Sequence, residues 1–198
     1  MRKTWLITDT HFGHKMLLNH GRPEHFSDLI FENLQKLVQP GDTLIHLGDI
    51  CIGDDEKWNN CFTHLLLSPS IKKILVKGNH DNKSDNWYLD HGWDFVCEMF
   101  WGRYFGQQII FSHIPVKKDA DFAPHFQPTM NIHGHFHGNN HRMEDFTKDS
   151  SIYDRHYYYD IAPDIWDYKP VQIGEVIRYH EKKKVRICAY PPDQAQQK

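Results

Sequence analysis

Seven side chains able to hold a metal ion recur at one kind of place along this 198-residue chain. They are Asp9, His11, Asp49, Asn79, His113, His135 and His137, each just past a short apolar, β-branched run. All offer oxygen or imidazole nitrogen, the donor set suited to Mn, Fe, Co, Ni or Zn. Seven donors are more than one ion needs, and one carboxylate can bridge two ions through its two oxygens. Two ions about 3.5–4 Å apart form the clamp used in phosphoryl hydrolysis: they polarise the phosphoryl oxygens and lower the pKa of a bridging water. His80, next to Asn79, adds an eighth polar group to the same set.

The elements that must carry these groups alternate along the chain. Thr4–Thr8, Thr43–Leu47, Lys73–Val76, Met130–His133 and Tyr157–Ile161 read as strands. Phe95–Trp101 is expected to pair with Tyr104–Phe111 through a turn at Gly102-Arg103, and Lys184–Cys188 to form a closing strand. Helices are expected from a Ser27 cap to Val38, near Glu56–Leu67, over 84–91 and over Ile173–His180. This alternation places the chain in the α/β class. In such sheets ligands collect outside the carboxyl ends of strands, where all seven donors fall.

Composition bounds the partners. The length suits one domain, expected over 1–190, with a flexible tail over 191–198. A net charge of −3 without a basic block disfavours general duplex-nucleic-acid binding. The four cysteines show no C-x-x-C spacing and suggest a reducing compartment. No apolar run reaches the ~20 residues of a membrane span and no signal-peptide core is apparent, so a cytoplasmic location is expected. What stands out is 16 histidines.

The order of motifs resembles the calcineurin-like metallophosphoesterases, whose pattern is D-x-H, G-D, G-N-H-D/E, a later His, then G-H-x-H. Here these are Asp9-Thr10-His11, Gly48-Asp49, Gly78-Asn79-His80-Asp81, Ser112-His113 and Gly134-His135-Phe136-His137. The segment Tyr168-Lys169-Pro170-Val171 is similar to a small bacterial and phage-type branch. The resemblance implies a four-layer α/β/β/α sandwich of two mixed β-sheets and two divalent transition metal ions, with manganese the first choice and Fe, Ni, Co or Zn as alternatives. It assigns Asp9, His11 and His137 to one ion, Asn79, His113 and His135 to the other, and Asp49 to both. A metal-bridging hydroxide would be the nucleophile and His80 the general acid on the leaving group. Asp81 would fix a neighbouring imidazole.

The implied substrate is a small-molecule or nucleotide phosphoester. A phosphodiesterase is the first reading because the small, uncapped members resemble that class. A phosphomonoesterase or protein phosphatase is the nearest alternative. A repair nuclease lacks the expected length and charge, and a catalytically silent interaction scaffold would be expected to have lost ligands. Two residues stay open: His14 could reach the phosphate or a nearby carboxylate, or belong to a solvated loop. Arg22 could clamp phosphate from an insertion folded over the site, or lie on the surface. His133 reads as either packing or support beneath the site, and His46 as a satisfied core histidine.

Overall fold

The aliphatic and β-branched runs become the strands of two sheets stacked face to face. The computed structural model describes residues 2–65, 68–118, 120–123, 125–149 and 156–188. In chain order it has β1 (Thr4–Ile7), a 3₁₀ turn (Lys15–His20), α1 (Phe26–Leu37), β2 (Thr43–His46), α2 (Asp55–Asn60) continued by a wider turn (Cys61–Leu65), and β3 (Lys72–Val76). Then come α3 (Asp85–Asp90), β4 (Phe95–Cys97), β5 (Met99–Tyr104), β6 (Gln107–Ser112) and β7 (Met130–His133). The last elements are α4 (Asn140–Thr147), β8 (Tyr158–Asp160), β9 (Val171–Gln172) and α5 (Ile173–Cys188).

The first sheet runs β4-β3-β2-β1-β9 and the second β5-β6-β7-β8. Both are mixed: β1 to β4 are parallel with β9 antiparallel, and β6 to β8 are parallel with β5 antiparallel. The parallel strands are covered on both faces, which is why they read as nearly continuous apolar runs. Trp5, Ile7 and Leu44 pack with Ile30 and Leu34 of α1, Phe62, and Tyr88 of α3. On the opposite face Leu6, Ile45 and Val76 meet Ile109, Phe111 and Ile132 of the second sheet. Phe146 of α4 covers the outer side of that sheet, against Phe136 and Tyr158. Val176 and Ile177 of α5 enter the seam between the sheets, and no described helix is long and apolar enough to cross a membrane.

Four local expectations give way. The helix after Pro23 opens at Phe26 with no side-chain cap from His25, because the Phe26 amide closes a turn on the Pro23 carbonyl (3.0 Å) and its ring enters the core. The run Phe95–Trp101 is divided between the sheets, β4 pairing with β3 and β5 with β6. The hairpin turn is Phe105-Gly106, with φ of 49° and 81°, while Gly102 sits inside β5 where the Tyr104 ring lies over it. Lys184–Cys188 is no strand but the end of α5, since neither Gly nor Pro interrupts the chain after Gly174 and Glu181 to Lys184 favour a helix. Helix α4 was not anticipated, and the 191–198 tail lies outside the described residues.

Phe111 is fully buried between the sheets. Phe111→Ala should cost about 3–5 kcal/mol, read as a lower urea midpoint at nearly unchanged slope. Phe105 is a bulky residue with left-handed backbone, so Phe105→Asn should instead gain up to about 1 kcal/mol in the same measurement.

Candidate metal centre

The exits of β1, β2, β3, β6 and β7 meet along one edge of the two sheets. The chain leaving β1 lies beside the chain leaving β2: the amides of Asp9, His11 and Phe12 donate to the carbonyls of Gly48, Asp49 and Ile50 at 2.9–3.0 Å. Five of the seven candidate ligands there have left-handed backbone, with φ of 47° at Asp9, 46° at His11, 58° at Asp49, 70° at His135 and 52° at His137. Such conformations are costly for residues other than glycine and persist where surrounding contacts hold them. They turn the side chains back over the sheet edge.

Asp9, His11 and His137 form one group whose ligand atoms lie within 4.8 Å of one another. Asp9 is fully buried; its Oδ2 accepts from the Thr8 hydroxyl and the His135 amide, both at 2.9 Å. Its Oδ1 has no hydrogen-bond donor, yet His137 Nε2 is 3.5 Å away and His11 Nε2 3.7 Å. An ionised oxygen left bare in the interior is strongly disfavoured. A cation between Asp9 and the two imidazoles would satisfy it, so this donor set fits a metal ion. Burial alone would raise the Asp9 pKa, but the His11 contact and the charges of His113 and His137 hold it far below the usual carboxylate range.

Asp49, His113 and His135 form the second group, again within 4.8 Å. His113 Nδ1 lies 2.8 Å from the Leu47 carbonyl, which can only accept. The ring therefore carries its proton on Nδ1, and Nε2 faces Asp49 Oδ2 at 3.3 Å, Asn79 Oδ1 at 3.1 Å and His135 Nδ1 at 3.2 Å. Without a metal ion, burial would lower the His113 pKa, but the Asp49 contact and the charges of Asp9 and Asp49 push it up to about 9. Asp49 Oδ2 also lies 3.5 Å from His11 Nε2, so a single oxygen stands between the two groups.

His80 stands beside both groups: its amide donates to Asp49 Oδ1 at 2.9 Å, its Nε2 is 3.9 Å from Asp49 Oδ2, and its ring is 5.5 Å from that of His11. The side chain is 42% exposed and lines a cavity of about 670 Å³ with His11, Asn79, His135 and His137. His14 lines the same cavity, its ring 5.5 Å from that of His11.

Other expectations are redirected. Arg22 is not a surface residue: it lines the cavity, with its side chain buried and bound to Asp164 and to backbone carbonyls. Asp81 orients no imidazole but accepts the amides of Gly78 and Asp49 (2.8 Å each) and Ile50 (3.1 Å), while burial pushes its pKa up to about 6. His46 is a satisfied core histidine: Gly48 donates to Nδ1 (3.1 Å), which leaves Nε2–H for the Thr10 hydroxyl (3.0 Å). Burial lowers the pKa of His46 to about 3 and of His133, beneath the site, to about 4. Gly48 has φ of 89°, but Gly78 and Gly134 are required for space, since a Cβ there would strike the carboxylates of Asp49 and Asp9.

Asp164 escaped the sequence reading. Its Oδ2 lies 3.2 Å from His137 Nδ1, as does Arg22 Nη2; with both Nη2 protons on shorter contacts to the Asp9 carbonyl and Asp164, the Nδ1 proton goes to Asp164 and Nε2 is left bare toward Asp9. Burial opposes its ionisation, but the His137 and Arg22 hydrogen bonds outweigh that and bring its pKa down to about 2. The available signal was position: Ala162-Pro163-Asp164 follows β8, another strand exit on the same edge.

Comparisons with known proteins show the family and the fold. The sequence profile of a family described as calcineurin-like phosphoesterase matches residues 2–193. The chain is similar to an uncharacterized protein of Methanocaldococcus jannaschii, 26% identical over 192 residues, covering 93% of this chain and 95% of that protein. It is also similar to the crystal structure of a protein of unknown function from Aquifex aeolicus. That likeness has a TM-score of 0.66 and 28% identity, over 90% of this chain and 100% of the other.

Because Asp81 uses both oxygens on backbone amides, Asp81→Asn turns one acceptor into a donor facing another donor. The metal-free protein should lose about 1–3 kcal/mol of stability, measured by urea denaturation. A change below about 0.5 kcal/mol would mean that the amides find other partners.

Proposed function

The chain belongs to the calcineurin-like phosphoesterases, and from that premise we propose that it hydrolyses a phosphodiester at a centre of two divalent transition metal ions. The observation that carries the reading is Asp49 Oδ2, placed 3.5 Å from His11 Nε2 of one donor group and 3.3 Å from His113 Nε2 of the other. Asp9, His11 and His137 would hold one ion, Asn79, His113 and His135 the other, and Asp49 both. The ions, when bound, would supply Lewis acidity toward the phosphoryl oxygens and water activated for attack on phosphorus. The all-nitrogen-and-oxygen donor set makes Mn²⁺ the ion to test first, with Fe, Co, Ni and Zn as alternatives.

The remaining chemistry falls to the chain. His80 has its amide fixed on Asp49 and its ring at the cavity, so it is placed to hand a proton to the departing alkoxide. His14 faces the same space and can donate to a phosphoryl oxygen. A diester is favoured over a monoester by the cavity of about 670 Å³, which has room for organic groups on two sides of the phosphorus. The substrate class we propose is a small-molecule or nucleotide phosphoester. A reducing, cytoplasmic setting is supported by Cys51, Cys61 and Cys97, all unpaired.

Manganese titration of metal-stripped protein should give two ions per chain, and bis(nitrophenyl) phosphate should turn over faster than nitrophenyl phosphate. A faster monoester would move the assignment to phosphomonoesterase, and turnover of neither would favour a binding role. Asp49→Asn should lower kcat more than Asp9→Asn, since Asp49 serves both donor groups and Asp9 one. His80→Ala should lose about 10²–10⁴-fold on an alkyl ester and far less on a nitrophenyl ester, with metal content unchanged. Equal losses on both esters together with a missing ion would assign His80 to metal binding.

A further inference from the structure

Arg22 and Asp164 are 142 residues apart in sequence and joined by two hydrogen bonds, Nε to Oδ1 at 2.9 Å and Nη2 to Oδ2 at 2.8 Å. The arginine side chain is 1% exposed and the aspartate 25%, so this fork-to-fork pair is largely shielded from water. The guanidinium also donates to the Asp9 carbonyl at 2.9 Å and the Thr10 carbonyl at 3.3 Å, inside the loop whose left-handed residues aim Asp9 and His11. Asp164 meanwhile takes the His137 Nδ1 proton at 3.2 Å. All three members of one donor group are thus reached from a single ion pair: Asp9 and His11 through their backbone, His137 through its tautomer. In the Asp49, His113 and His135 group two members are held separately from the pair, His113 by the Leu47 carbonyl and Asp49 by the His80 amide, while His135 is tied by its amide to Asp9 Oδ2.

We propose that Arg22 and Asp164 are a positioning pair that sets the Asp9, His11 and His137 site in its metal-binding geometry, independently of the second site. This inference rests on the two-ion reading above. An arginine that ended at a phosphate would turn most of its N–H groups into the cavity; here four of the five are spent on Asp164 and the two carbonyls. The consequence is site-specific: disturbing the pair should empty one position and spare the other.

The test is Mn²⁺ binding to the full-length protein by calorimetry, with anomalous scattering from Mn²⁺-loaded crystals to identify each position. Removing one partner alone strands a shielded charge, so the main variant is the neutral double substitution Arg22→Met with Asp164→Asn. Thermal melting in chelator checks that it folds, and Asp164→Asn alone, isosteric and with Arg22 in place, gives a second reading. Wild type should take two ions. The variants should bind the ion at Asp9, His11 and His137 at least tenfold more weakly, the usual range for losing such support being about 10–100-fold. The ion at Asp49, His113 and His135 should stay within about twofold, well below that range. Folded variants that keep both affinities, or lose both alike, overturn the positioning role while the two-ion reading stands. A wild type that takes fewer than two ions overturns both.

Discussion

Asp9 and Asp49 leave adjacent parallel strands and are buried there, side by side with a shell of imidazoles. Withdrawing a carboxylate from water is penalised by several kcal/mol unless cations or donors replace the solvent. The backbone supplies part of the replacement: the His135 amide and Thr8 hydroxyl on Asp9, the His80 amide on Asp49. What remains bare is directed at one place, Asp9 Oδ1 toward His11 and His137, and Asp49 Oδ2 toward His11 and His113. Two of the imidazoles are oriented from behind by acceptors, Leu47 O for His113 and Asp164 for His137. For these two the proton is held outside the centre, so that their lone pairs face inward with the negative oxygens.

That inward crowding explains the backbone around it. A side chain leaving the end of a strand ordinarily continues along the sheet direction, whereas these must fold back, which the positive φ angles of Asp9, Asp49, His135 and His137 accomplish. Gly134 and Gly78 lie where the two carboxylates press against main chain, so close that no Cβ can be accommodated. The energy stored in this edge is balanced by the apolar clusters on either face of the first sheet, in which Leu6, Ile45, Leu44 and Leu75 are fully buried. A rigid sandwich is the condition for a strained rim.

The legible part of this molecule was the part encoded by neighbouring residues. Strand β7 was readable to the residue, and the candidate metal donors were readable because each sits one to four positions past a strand. Turn chemistry was less legible. Gly102 looked like the hairpin turn but serves the packing of Tyr104, while the left-handed position fell to Phe105, a residue with no turn signature. The family resemblance made Asp81 a partner for an imidazole, yet its carboxylate points back at three amides. Arg22 and Asp164 were opaque for a different reason: nothing local links residues so far apart, and only the fold brings the exits of β1 and β8 together. Sequence spacing encodes which groups reach the rim, and tertiary contacts decide what each one touches there.

The cavity divides along the same line. Its floor is made by side chains on strand exits, His11, Asp49, Asn79, His135 and His137, whose positions follow from sheet register. Its walls come from elements outside the sheets: Leu17 and His20 on the 3₁₀ turn, Arg142 on α4, Tyr168 before β9. Arg142 touches the floor at one point, donating to the His135 carbonyl at 3.2 Å. Residues on surface segments can change without moving strand register, while a shift of register would displace every ligand at once. In the function proposed above, metal binding and choice of substrate would fall to separate parts of the chain, one held by the sheets and the other laid over them.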